Sequence, residues 1–215
     1  GDIYTEMILM LFDSIIERST DNVVFYKSWK SNQKHRIGMR LRKSRFILPR
    51  FRMGFSRSLN YEDERFLADI DKALHYLHGG TGDFDGLVRA TRENRIETGD
   101  RFSSRYFELR YYRGAQTMHF YPKSTEVMDK LNRFVGRIRQ WLPGDMEEAN
   151  ADFIKQYEKG ETYSDEYLKL SVNSRPSYDR CNPAYRLLRE VQGRSQEENS
   201  PELDRLEKEI GRAHV

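Results

Sequence analysis

Asp100, and after it Glu108-Leu109-Arg110, follow the order of the Asp and Glu-x-Lys of metal-dependent nucleases. In that chemistry two carboxylates hold Mg2+ while a lysine assists the attacking water. Here arginine stands in the lysine position, and arginine does not deprotonate to act as a base. A surface charge pair on a strand is therefore the weightier reading of Glu108 and Arg110. His75 and His78 share a helix face with Asp71 one turn earlier, and His119 would complete a metal site if its strand packed beside them. The simpler expectation is histidines on a helix surface. Asn182-Pro183-Ala184-Tyr185 approximates the Asn-Pro-Pro-Tyr loop with which adenine methyltransferases grip an extruded base. It has Ala at the third position and no apolar strand before it, so a chain break ahead of a helix is the plainer account. No Gly-rich strand-to-helix turn is present for a cofactor, and none is expected. Cys181 has no neighbouring sequence that would activate it and reads as a passive thiol.

Charge supplies a further candidate. Between Asn22 and Tyr61 no carboxylate occurs, while Lys27, Lys30, Lys34, Arg36, Arg40, Arg42, Lys43, Arg45, Arg50, Arg52 and Arg57 do. These eleven cations leave 26 basic residues against 34 acidic ones elsewhere, so a formal charge of +3 conceals a polarised molecule. Such a stretch attracts phosphates, and the interleaved Phe25, Tyr26, Trp29, Phe46 and Phe51 would stack bases if exposed. Otherwise those aromatics are core and the charges a solvated face.

Elements must position these groups. Large side chains crowd two runs from Arg105 to Tyr121 around Gly114-Ala115-Gln116, which predicts a hairpin with glycine supplying the turn. A helix follows from Thr125 to Trp141 and Leu142, its stripe Val127, Leu131, Phe134, Val135, Ile138 and Leu142 lying on a sheet. Ile37 to Leu41 alternates as a strand whose wet face carries Arg40 and Arg42. Pro49 confines Arg45 to Leu48 to a short or edge strand. Asn60 caps a helix with Glu62, Asp63 and Glu64 in its first turn and a stripe of Phe66, Leu67, Ile70, Ala73, Leu74 and Leu77. A short helix from Phe84 or Asp85 to Asn94 and a loop then lead to the hairpin. Ile3 to Arg18 is a helix whose stripe is wide enough to be sandwiched between other elements or against a partner.

The single cysteine precludes an intrachain disulfide and suits a reducing compartment. No apolar run reaches the ~20 residues of a membrane span. The expectation is a chain of the bacterial cytoplasm without a membrane partner. Beyond Pro143 composition turns acidic and less periodic. Helices over 183–191 and 201–210, separated by a linker at 193–200, would be solvent-rich arms or oligomer contacts.

Several stretches together resemble one family. They are Trp29-Lys30 ahead of the basic stretch, the helix end Leu74 to Gly79, the strand Tyr106 to Gly114, His119, and Asp129-Lys130-Leu131-Asn132. In that order they are similar to the family catalogued as domain of unknown function 4942, over residues 25–142. The resemblance implies a setting in bacteria, phages and integrated mobile elements, beside adenine-specific DNA methyltransferase segments. It brings no established active site.

The sequence thus predicts an α+β domain over 1–158, with a small antiparallel sheet and hairpin 105–121 packed against helices. A mostly helical or partly disordered extension over 159–215 would follow. The function expected is non-enzymatic: binding of nucleic acid, DNA favoured, through residues 27–57, with a host or methyltransferase partner in DNA modification or defence. The alternatives are a nuclease using Asp100 and Glu108, and a protein-binding inhibitor of a host defence factor.

Overall fold

The computed structural model describes residues 2–18, 22–27, 29, 37–80 and 86–159. In chain order its elements are α1 (Ile3–Arg18), β1 (Val23–Lys27), β2 (Ile37–Leu41), β3 (Phe46–Leu48), α2 (Tyr61–Leu77) and α3 (Gly86–Glu93). Then come β4 (Arg101–Ser103), β5 (Phe107–Tyr112), β6 (Thr117–Pro122), α4 (Thr125–Ile138) and α5 (Ala151–Lys159). The class is α+β. The chain divides into two compact units, one of residues 1–22 with 41–135 and the other of 23–40 with 136–215.

The first unit is built on a four-stranded sheet in the order β3-β6-β5-β4, with every neighbouring pair antiparallel. Alternation sends Phe107, Leu109 and Tyr111 of β5 and Met118 and Phe120 of β6 to one buried side. There Phe46 and Phe120 stack at 4.7 Å, with Phe107 edge-on to Phe120 at 5.5 Å. Tyr111 donates its hydroxyl to the Phe51 carbonyl at 2.9 Å.

Helix α2 starts as expected, Asn60 Oδ1 accepting the Asp63 amide at 2.8 Å. Its expected stripe is buried except for Leu77, which is half-buried, but three polar residues are buried as well: Asp63, Asp71 and His75. Each has work that periodicity does not reveal. Asp63 accepts the Arg52 amide at 2.8 Å and lies 3.6 Å from the Arg18 guanidinium, which in turn covers the Phe66 ring at 4.1 Å. Asp71 accepts the Leu87 amide in the first turn of α3, where a carboxylate also favours the helix dipole.

Helix α1 buries Ile8, Leu11, Phe12, Ile15 and Ile16, a single stripe. Ile3 and Met10 are 74% and 70% exposed, so among the described residues this helix is covered on one side rather than sandwiched between two elements.

The second unit pairs β1 with β2 and contains α5. Tyr26 of β1 meets Tyr157 of α5 edge-on at 5.0 Å. The expected wet face of β2 is corrected at Arg40, which is fully buried. Its guanidinium donates to the Tyr157 carbonyl at 3.1 Å and covers the Tyr157 ring at 5.1 Å. A strand paired on one side and faced by a helix on the other need not present a solvated edge to its cations.

Two further expectations are corrected at chain reversals. The hairpin turn over residues 113–116 does not use Gly114 for its left-handed position; Gln116 takes it, at φ 53°. Helix α4 ends at Ile138, short of Leu142, because Gln140 adopts φ 58°. Gln140 then donates its amide to Arg137 and Trp141 its amide to Gly136, the paired bonds that close a left-handed helix end. The glycine matters one turn earlier, since a Cβ on Gly136 would lie 2.7 Å from Leu142 Cδ1.

Candidate nucleic-acid interface

The side of the four-stranded sheet opposite its phenylalanine core carries a different set of residues. Register aligns Ile47, His119, Arg110 and Arg101 in one row across β3, β6, β5 and β4. The next row holds Tyr121, Glu108 and Ser103, and Tyr112 pairs with Thr117 beyond the first row. Arg45, immediately before β3, is exposed. The period of two in β5 and β6 places Glu108, Arg110 and Tyr112 beside Thr117, His119 and Tyr121 without exception.

Rings and cations interleave on this face. The Tyr112 and His119 rings are 4.5 Å apart and His119 and Tyr121 6.4 Å, giving a line of three aromatic groups. Arg110 lies over Tyr112 at 4.8 Å and Arg101 over Tyr121 at 4.3 Å, distances at which the ring quadrupole attracts the cation. Glu108 is the sole carboxylate within these four strands, with Lys123 at 4.0 Å. Burial pushes the His119 imidazole below its ordinary pKa, and Arg45 and Arg110 push the same way, so near neutral pH the ring is uncharged. His119 Nδ1 and Arg110 Nε are enclosed and have no hydrogen-bond partner among the described residues.

The nuclease residues separate. Ser103, not Asp100, is the partner of Glu108, and Asp100 precedes β4, three residues before Ser103 and about 10 Å from it at strand spacing. Asp100 accepts instead from the Thr98 hydroxyl at 2.7 Å. The histidines separate too. His75 is 5% exposed rather than on the helix surface, and Arg105 donates to its Nδ1 at 3.2 Å. His78 sits against the Val127 carbonyl at 3.5 Å, while His119 belongs to the sheet face. Among the described residues no three His, Cys, Asp or Glu side chains converge as a metal site.

The basic stretch does not form one surface of one unit. Trp29 and Arg40 belong to the second unit and residues from Arg42 onward to the first. Arg45, Arg50, Arg52 and Arg57 are exposed, Arg42 is half-buried, and Lys43 pairs with Asp129 at 3.5 Å. Phe25, Tyr26, Phe46 and Phe51 are core residues and offer no ring to a base. The Lys27 side chain, Lys30, Lys34, Arg36, Cys181 and Asn182 to Tyr185 lie outside the described residues, as do the 183–191 and 201–210 segments.

The fold and site thus define a small α+β protein with a cationic, aromatic sheet face. The chain belongs to the family described as Domain of unknown function (DUF4942), which matches residues 1–141 and so takes in α1 as well as the sheet and α4. No curated protein and no solved structure matches it. No helix among the described residues is long and apolar enough to cross a membrane.

Proposed function

We propose that this chain is a non-enzymatic nucleic-acid-binding protein, with DNA the favoured ligand, that works with or against a DNA-modification or defence system. The observation that carries the reading is the sheet face on which Arg101 and Arg110 lie over tyrosine rings with Arg45 alongside. Cations held over aromatic rings on an open strand surface suit a phosphate backbone and its bases better than they suit a protein groove. The basic stretch contributes through its exposed members, Arg45, Arg50, Arg52 and Arg57, and not through Arg40. A phage or mobile-element setting and an association with adenine methyltransferases are part of the proposal and come from the family resemblance. The nuclease alternative loses ground because Glu108 pairs with Ser103, and Asp100 lies three residues further back, about 10 Å from Ser103 at strand spacing.

The test is anisotropy of labelled DNA over a salt series. Affinity should fall linearly in a double-logarithmic plot, and the Arg45→Glu, Arg101→Glu pair should remove most of it. Absence of binding even at low salt, or binding indifferent to this charge reversal, would overturn the reading.

A further inference from the structure

We propose that the outer face of the four-stranded sheet is a platform for single-stranded nucleic acid, on which bases lie against Tyr112, His119 and Tyr121 and the Arg110 and Arg101 guanidiniums move from the two tyrosine rings to join Arg45 on the phosphates. This rests on the nucleic-acid reading above and narrows it to one surface and one form of ligand.

Spacing separates a single strand from a duplex. The three rings stand 4.5 and 6.4 Å apart, both wider than the ~3.4 Å rise of stacked bases. Tyr112 and His119, in contact at 4.5 Å, make one stacking surface and Tyr121 a second, so a chain lying along them must open its own stacks to reach both. A single strand does so at little cost, whereas a duplex keeps its base faces covered by neighbouring pairs. Position agrees with spacing: all three rings are half-buried on strands whose opposite sides form the core, so they are held rigidly yet reachable. The cations are distributed along the line rather than gathered at one end, with Arg110 at Tyr112 and Arg101 at Tyr121. Arg45 acts on His119 from the β3 side. An uncharged His119 offers a flat ring, and a phosphate brought beside it would favour its protonated form, adding a cation where the strand docks. The single carboxylate, Glu108, has Lys123 at 4.0 Å and so is partly offset. Base stacking of this kind tolerates any sequence, because every base has a π-face.

The experiment uses the full chain and labelled oligo(dT) and oligo(U) of about ten nucleotides, within the span such platforms cover, with a hairpin duplex as comparison. The parent should prefer the single strands, and the two oligomers decide between DNA and RNA as source. Tyr112→Ala with Tyr121→Ala should weaken single-strand binding at least about tenfold, while Tyr112→Phe with Tyr121→Phe should keep it, since the ring and not the hydroxyl does the stacking. Thermal unfolding of each variant accompanies the titrations. If the alanine pair fails to fold, photocrosslinking of 5-iodouracil oligomers to the parent protein decides, with adducts expected on Tyr112, His119 or Tyr121. Single-strand binding untouched by the alanine pair, loss in the phenylalanine pair, or adducts confined to other residues would overturn the platform. In those cases salt-dependent duplex binding would leave the broader reading standing; binding of neither form removes both.

Discussion

Asn132 of α4 holds Leu41 of β2 by both ends of its amide: Oδ1 accepts the Leu41 N–H at 2.8 Å and Nδ2 donates to the Leu41 carbonyl at 2.8 Å. The side chain thus does what a neighbouring strand would do, at a place where both backbone groups are buried. Asn22 repeats the device on Ile47, with contacts of 2.5 and 2.9 Å. A hydrogen bond contributes about 0.5–1.5 kcal/mol, so Asn132→Ala, which removes two at a buried site, should destabilise the protein by about 1–3 kcal/mol. Asn132→Asp, which keeps only the acceptor, should also be costly. Urea unfolding checks this: the midpoint should fall with the slope unchanged, and a midpoint within error of the parent would contradict it.

Gln116 gives a prediction of opposite sign. Its left-handed φ of 53° strains a side chain bearing a Cβ, and the residue is exposed at the hairpin tip. Gln116→Gly relieves about 1 kcal/mol of that strain, partly offset by the greater freedom of glycine in the unfolded chain. The backbone bond from Phe51 to the Gln116 carbonyl, 2.9 Å, does not depend on the side chain. The variant should melt slightly higher than the parent, whereas Gln116→Val should melt lower.

Elements governed by a local period were legible in the sequence. The α2 cap at Asn60, the β5–β6 hairpin, the short edge strand β3 and the start of α4 all follow from alternation, helical spacing or a turn residue. What escaped reading depends on partners distant in the chain. Strand β4 has three residues and exists because β5 pairs with it, and Arg101 gives no hint in sequence that it reaches Tyr121. Arg40 sits in a clean alternation that predicts solvent, yet Tyr157, far along the chain, accepts its hydrogen bond on the carbonyl and faces its cation with the ring. The same alternation, applied to Arg110, Tyr112, His119 and Tyr121, would have found the sheet face.

Arg40 and Arg45 should respond differently to charge reversal. A glutamate at Arg40 would be a buried carboxylate facing the Tyr157 carbonyl, a substitution that costs about 3–5 kcal/mol when a buried cation and its contacts are lost together. Arg45 is exposed, and Arg45→Glu should stay within about 0.5 kcal/mol of the parent. Chemical denaturation of the two variants side by side tests the contrast. Equal stabilities would mean that Arg40 is not buried in solution.

Acid should weaken the fold before its carboxylates titrate. Burial is the largest cause holding both His119 and His78 below the ordinary imidazole value. Arg45 and Arg110 add to it at His119; at His78, Lys130 and Arg105 add to it while the Val127 carbonyl and Glu126 oppose it. As pH falls through about 6.5 the unfolded chain takes up these protons while the folded imidazoles still resist them. The unfolded state then binds more protons, so stability declines with falling pH until the lowered folded pKa values are passed. Above about pH 6.5 this contribution is fully present. Unfolding free energies measured from pH 7.5 down to about 5, above the carboxylate range, should therefore slope downward toward acid. His119→Gln and His78→Gln together should flatten that slope; a double variant with the parent's slope would show that neither ring is held neutral by the folded protein.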